Sequence, residues 1–115
     1  MNAGRDYRDY LQDIQGAILD ILDFTHGLDF EAFTRDKKTS YAVVRALEII
    51  GEAAKKVPPE TRDSHPEVPW KEMTGIRDKL IHEYFGVNSR VVWNTVTEDI
   101  PRLKPLIAHV MEKEV

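Results

Sequence analysis

The sequence contains no cysteine. That excludes disulfides, cysteine-ligated zinc and a thiol nucleophile, and it allows a reducing compartment. No run approaches the length of about 18 apolar residues that suggests a membrane span. The opening Met1-Asn2-Ala3-Gly4-Arg5-Asp6 lacks the apolar core of a secretion signal. The expectation is a soluble, cytoplasmic protein with no membrane contact. Glycine is sparse, and no phosphate-cradling loop occurs. The four histidines, His26, His65, His82 and His109, are scattered without a His-x3-His or His-Glu-x-x-His pattern, so no metal and no cofactor is expected. Ser40, Ser64 and Ser89 sit in no nucleophile-elbow context. Positive charge is also short: 16 Lys and Arg against 20 Asp and Glu give a net charge of −4. A general nucleic-acid coat is therefore disfavoured, since affinity for phosphate backbones comes mostly from lysine and arginine. Any contact with RNA or a nucleotide needs a local basic patch, for which Arg35, Lys37, Lys38, Arg45, Lys55 and Lys56 are candidates. The plainer reading of each is a solvated helix face.

What is present is ordinary globular composition, 42% hydrophobic and 31% charged over 115 residues, which fits one domain spanning 1–115. The apolar periodicity is helical throughout, and no stretch alternates convincingly as a strand. Tyr7, Tyr10, Leu11, Ile14, Ile18, Ile21 and Leu22 predict a helix over 6–26, with Gly27 as its stop. Phe30 and Phe33 pin a connector over 29–34 to the core. Tyr41, Val44, Leu47, Ile50 and Ala54 predict a second helix over 38–57, ended by Pro58-Pro59. Gly51 within it reads as a close-packing position. Residues 58–69 hold four of the six prolines and read as a restricted loop. A third helix is expected over 70–84, and then Asn88 or Ser89 caps a segment over 89–114. Pro101 and Pro105 make that segment either a kinked helix or two helices meeting near Asp99. The expected fold is all-α, a four- to five-helix antiparallel bundle. Val91, Val92, Trp93 and Val96 cover more than one face of their helix, which fits either a homodimer surface or a buried central helix.

The segment Gly75-Ile76-Arg77-Asp78-Lys79-Leu80-Ile81-His82-Glu83-Tyr84-Phe85 carries the chemistry. On a regular helix Arg77 projects into the apolar face made by Trp70, Met73, Leu80, Ile81 and Tyr84, where an unpaired guanidinium would be costly. It needs an internal acid such as Glu48 or Glu52, a second chain, or an anionic ligand. Asp78 and His82 are four apart, so the carboxylate can orient the imidazole. His82 lies roughly 140° around the helix from Arg77. The two groups converge only if the helix end frays near residue 82 or if two copies bring their helices together. Histidine can pass protons both ways near neutral pH, and arginine can stabilise the added charge of a phosphorane-like transition state. Together they suffice for metal-free RNA cleavage in which the 2′-hydroxyl of the RNA is the nucleophile. The plainer alternative is that Tyr84 is core, His82 is surface and Arg77 is ion-paired.

Arg77, four residues, His82, one residue, Tyr84 resembles the Arg-x4-His-x-Tyr signature of the HepT-like toxins of the HEPN superfamily. The likeness extends to Arg45-Ala46-Leu47-Glu48-Ile49-Ile50-Gly51-Glu52-Ala53, to Val68-Pro69-Trp70, to Val92-Trp93-Asn94-Thr95-Val96 and to Asp99-Ile100-Pro101-Arg102-Leu103, so it covers roughly residues 5–110. The resemblance implies a HEPN-like helical fold and a metal-independent endoribonuclease, the toxin of a type VII toxin–antitoxin pair. It implies a homodimer in which two motif helices form one RNA cleft, with Arg77 and His82 as the catalytic pair. It also implies an MNT-type nucleotidyltransferase antitoxin that transfers AMP onto Tyr84. Asp78 stands where the family carries a polar residue, often asparagine; it can orient His82 and adds a negative charge beside the cleft. Glu52 is the supporting acid that could pair with Arg77. A different class of reading keeps the same groups for holding a nucleotide or docking the nucleotidyltransferase without cleavage. A third makes the chain a structural dimerisation bundle.

Overall fold

The 19-residue helix α1, Tyr7–Thr25, begins where Asp6 can cap it: the Asp6 carboxylate accepts from the Arg8 amide at 2.7 Å, and the Asp9 carboxylate accepts from the Asp6 amide at 2.9 Å. The reciprocal pair satisfies amides that a helix start leaves without partners. Leu11, Ile14, Ala17, Ile18 and Ile21 form the buried stripe. Gly27, at φ 78°, takes the left-handed turn that ends the helix, as its position in the sequence predicts. The structure is a computed structural model that describes residues 5–82 and 86–114, and for 81, 82, 86 and 87 the description covers the backbone alone.

The connector is one short helix, α2, Phe30–Arg35, capped by Asp29 and anchored by the buried Phe33. Asp36 then caps α3, Lys37–Lys56, accepting from the Thr39 amide and hydroxyl at 3.0 and 2.7 Å. Those two bonds hold its carboxyl below the ordinary aspartate range. The buried face of α3 is Val43, Ala46, Leu47, Ile50, Gly51, Ala53 and Ala54, and it packs along α1. Tyr41, expected in that stripe, is 69% exposed. The stripe is set about one residue round from the expected one, because small Ala46, Ala53 and Gly51 allow close helix contact and the ring does not.

Residues 58–69 are more ordered than a loop. Pro58 caps a helical turn, α4, Pro59–Ser64, in which Pro59 occupies the first turn, where its missing N–H costs nothing. The helix expected over 70–84 is divided into α5, Trp70–Thr74, and α6, Ile76–Leu80. Beyond Leu80 the backbone is extended. Strand β1, Ile81–His82, pairs antiparallel with β2, Gly86–Val87, with His82 opposite Gly86. The Asn88 amide closes this hairpin by donating to the Leu80 carbonyl at 3.0 Å.

The Asn88 side chain caps α7, Ser89–Asn94. A π-helical turn at Thr95–Asp99 leads into α8, Ile100–Glu114, with right-handed helical dihedrals at both junctions. The two prolines therefore interrupt one rod and do not separate two helices. Pro101 lacks an amide, and its ring would crowd the carbonyl one turn back. The wider π turn, in which Ile100 N bonds Thr95 O, accommodates that loss immediately before the proline. Val92 and Val96 are buried, while Trp93 lies against α2, with ring centroids 5.1 Å from Phe33 and 6.5 Å from Phe30. The second apolar face of this helix is thus partly covered from within the chain, and Val91 and Trp93 stay half-buried.

α1, α3 and the α7–α8 rod enclose a single core; apart from the two-residue pairing the described fold is all-helical. A part-buried polar clasp closes its end. His65 Nε2 lies 2.8 Å from Glu114 Oε2 and Nδ1 lies 3.5 Å from Glu67, while the Tyr7 hydroxyl donates to Glu114 Oε1 at 2.9 Å. The Trp70 indole N–H donates to the His65 carbonyl. The start of α1 and the end of α8 are thereby held side by side.

Candidate active site

Arg77 sits on α6, a helix of only five residues that buries Ile76 and Leu80. The sequence projection places Arg77 among the core residues, but the structure exposes it. Trp70, Met73, Ile76 and Leu80 are the inward positions, so the buried face leans toward Ile76 and away from Arg77. Ile76 is fixed inward by its fit against Gly51 of α3. The conflict of a buried, unpaired guanidinium does not arise.

Asp78 and Lys79 are exposed beside Arg77. The Lys79 ammonium reaches across to Asp99 of the π turn at 3.1 Å, an exposed pair that bridges α6 and the rod. Among the described residues no carboxylate pairs with Arg77. Glu52, the acid expected to support it, lies 3.5 Å from Arg45, and Glu48 lies 3.8 Å from the same guanidinium. Seven residues separate Arg45 from Glu52 on α3, which puts them two turns apart on one face, so a partner within the same helix is nearer than one on α6.

His82 is brought in by β1 and not by a helix, since α6 stops at Leu80. The helical four-residue relation between Asp78 and His82 is therefore replaced by a turn into the hairpin. The side chain of His82, and Tyr84 as a whole, lie outside the described residues. The site thus consists of an exposed arginine one residue into a short helix, an exposed acid next to it, and a hairpin that begins at Ile81 immediately after that helix and carries His82. A cation so placed can meet a phosphate without first breaking an internal ion pair.

Behind α5 and α6 a groove of about 640 Å³ runs along the rod. Ile50, Met73, Ile76, Ile100 and Leu103 line its apolar part, and the Lys79–Asp99 pair lies on its edge. Arg77 is not part of its wall. No local pattern signals the Lys79–Asp99 pair, because twenty residues separate its partners.

A helical bundle with an exposed arginine and a histidine-bearing hairpin defines a class only by geometry; comparison with known proteins defines the family. The family model described as "HepT-like: Ribonuclease HepT-like" matches residues 14–110. The chain belongs to this family. A Thermococcus cleftensis protein named "Probable ribonuclease HepT" is 59% identical over 100 residues, covering 87% of this chain and 91% of its own length. A Caldanaerobacter subterraneus protein named "Putative RNase TTE0752" is 47% identical over 107 residues, covering 93% of this chain and 96% of its own. A Methanocaldococcus jannaschii protein named "Gamma-glutamylcyclotransferase and putative RNase MJ0434" is 40% identical over 109 residues, which are 95% of this chain and 49% of that protein. No solved structure matches the chain. Among the described residues no helix is long and apolar enough to cross a membrane.

Proposed function

We propose that this chain is a metal-independent endoribonuclease in which Arg77 and His82 carry the reaction. Family membership supports RNA as the substrate. The observation that carries the reading is the exposure of Arg77 without a carboxylate partner among the described residues, on the short helix that feeds straight into the hairpin of His82. In this reaction the RNA 2′-oxygen attacks the adjacent phosphorus and loses its proton to a general base. The bond to the 5′-oxygen breaks and that oxygen takes a proton. A 2′,3′-cyclic phosphate and a 5′-hydroxyl end result. His82 is the proton carrier, and Arg77 balances the charge that builds on the non-bridging oxygens. Asp78, whose four-residue helical relation to His82 is lost where α6 stops at Leu80, adds a negative charge beside Arg77.

Two copies of the chain form the working unit, each bringing its α6 and hairpin to a shared cleft. The protein acts as a toxin and is silenced when an MNT-type nucleotidyltransferase transfers AMP from ATP to the Tyr84 hydroxyl. The added phosphate and adenosine exclude RNA by charge and bulk. The site needs no cofactor or metal for cleavage.

The test is cleavage of a labelled single-stranded RNA in the presence of a chelator. Wild type should give a cyclic-phosphate product, and Arg77→Ala and His82→Ala should each be slowed at least about a hundredfold. Unchanged cleavage by both variants overturns the assignment. For the silencing step, intact mass after incubation with the nucleotidyltransferase and ATP should rise in whole AMP units for wild type and stay constant for Tyr84→Phe.

A further inference from the structure

Tyr41 is the most exposed large hydrophobic side chain among the described residues, at 69%, and nothing in the catalytic proposal uses it. It stands on the outer face of α3. Lys37 and Lys38 lie one turn before it and Arg45 one turn after it, so the four side chains share one stripe at three- and four-residue spacing. All four are exposed. Asp36 caps the helix by accepting from Thr39 and keeps its charge, which offsets part of that of Lys38 at the start of the stripe. Arg45 keeps 60% of its side chain exposed although Glu48 and Glu52 lie 3.8 and 3.5 Å away. Farther along the same face those two acids reverse the sign of the charge. The stripe is thus cationic at one end, aromatic in the middle and closed by carboxylates at the other end.

We propose that this stripe is a platform for single-stranded RNA, with one base stacked on Tyr41 and the flanking phosphates held by Lys37, Lys38 and Arg45. It rests on the ribonuclease reading and extends it to where the substrate is gripped away from the cut. An exposed aromatic ring between cations is the combination that sequence-tolerant single-strand binding uses, because every base has a face to stack and every nucleotide a charge to neutralise. The lysines and Arg45 are seven to eight residues apart, about 10–12 Å along the helix. Glu48 and Glu52 would repel a strand continuing past Arg45, so the track has one open end. Against a protein chain stands the composition of the stripe: one ring among charges offers too little apolar area for a stable protein contact.

The experiment measures binding of a fluorescent single-stranded RNA by full-length protein carrying His82→Ala, so that the RNA stays whole, and cleavage by the same stripe variants in the wild-type background. Tyr41→Ala should raise Kd by about five- to a hundredfold, and Tyr41→Phe should hold near the parent value, since stacking needs the ring and not the hydroxyl. Lys38→Gln should lower the slope of log Kd against log salt by about 0.7. Thermal melting should be the same for all three, because the side chains are exposed. Parent-like binding by Tyr41→Ala, with wild-type protein still cleaving RNA, overturns the platform and leaves the ribonuclease reading standing. Absence of both binding and cleavage in the unsubstituted stripe overturns both. A fall in molar mass in solution on Tyr41→Ala shows that the stripe faces a second copy, and also overturns the platform.

Discussion

Gly51 of α3 and Ile76 of α6 meet so closely that a Cβ built on the glycine would lie 2.7 Å from Ile76 Cγ2 and 3.1 Å from the Met73 carbonyl oxygen. The absence of a side chain at residue 51 therefore sets how near the Arg77 helix approaches the core. Gly51→Ala would gain intrinsic helix propensity of about 1 kcal/mol. It would also force α5 and α6 outward, and overpacking of this kind costs about 1–3 kcal/mol. The contact is with backbone as well as with a side-chain methyl, so the steric term should win. Denaturant melts should show a net loss of stability; a gain would mean that α6 moves aside freely.

Arg77 is exposed and anchors no described ion pair, so its removal should leave the fold intact. Arg77→Ala is expected to change stability by less than about 0.5 kcal/mol while abolishing cleavage. Arg77→Lys should not restore full activity, because an ammonium lacks the planar fork that meets two phosphate oxygens. Melting curves and cleavage rates on the same preparations check this. A large stability loss in Arg77→Ala would point to a structural arginine.

The clasp at the end of the bundle makes stability depend on pH. His65 and Tyr7 both hydrogen-bond the Glu114 carboxylate, and these bonds hold its pKa below the ordinary glutamate value. A depressed carboxyl contributes stability above its unfolded pKa, about 4.3, and that contribution is lost as pH falls through the folded value. Glu114→Gln should cost about 1–2 kcal/mol at pH 7, the scale of a hydrogen bond to a charged group. The gap between wild type and variant should narrow below about pH 4. Melts across that range measure it, and a gap that widens in acid would contradict the clasp.

Trp93 is covered by Phe33 and Phe30, and the Arg90 guanidinium lies 3.7 Å from the Phe30 ring centroid. Trp93 is half-buried, so Trp93→Ala should cost less than the about 3–5 kcal/mol of a fully buried ring, through lost packing within one chain. The loss should not depend on protein concentration. A midpoint that shifts with concentration would assign Trp93 to an interface between copies.

Asn88 both caps α7 and closes the hairpin that delivers His82: its side chain accepts from the Arg90 and Val91 amides at 3.0 and 3.2 Å, and its own amide bonds Leu80. Asn88→Ala should cost about 1 kcal/mol through the lost cap, while its backbone bond to Leu80 stays in place. Asn88→Asp, which preserves the cap acceptor, should recover the stability. Equal losses in both variants would show that the cap is not the source.

The sequence by itself determined the helical class, the stop of α1 at Gly27 and the close-packing role of Gly51, and it narrowed the cap of the last segment to Asn88 or Ser89. Each of these is local chemistry, a capping oxygen, a left-handed glycine or a three-four apolar rhythm, and needs no distant partner to be read. It also carried the Arg77, His82 and Tyr84 spacing and the likeness to the HepT family to which the chain belongs. Tertiary structure decided what depends on which neighbour wins a contact. Ile76, fitted against Gly51, takes the inward place and leaves Arg77 outside; Arg45 takes Glu52; α2 covers Trp93; Tyr41 is left exposed. The expected helix over 70–84 stops at Leu80 because Asn88 closes a hairpin there, and the Lys79–Asp99 pair forms across twenty residues. A helical projection assigns faces to an isolated, regular helix. It cannot know where that helix breaks, or which of two adjacent apolar positions a glycine on another helix will receive.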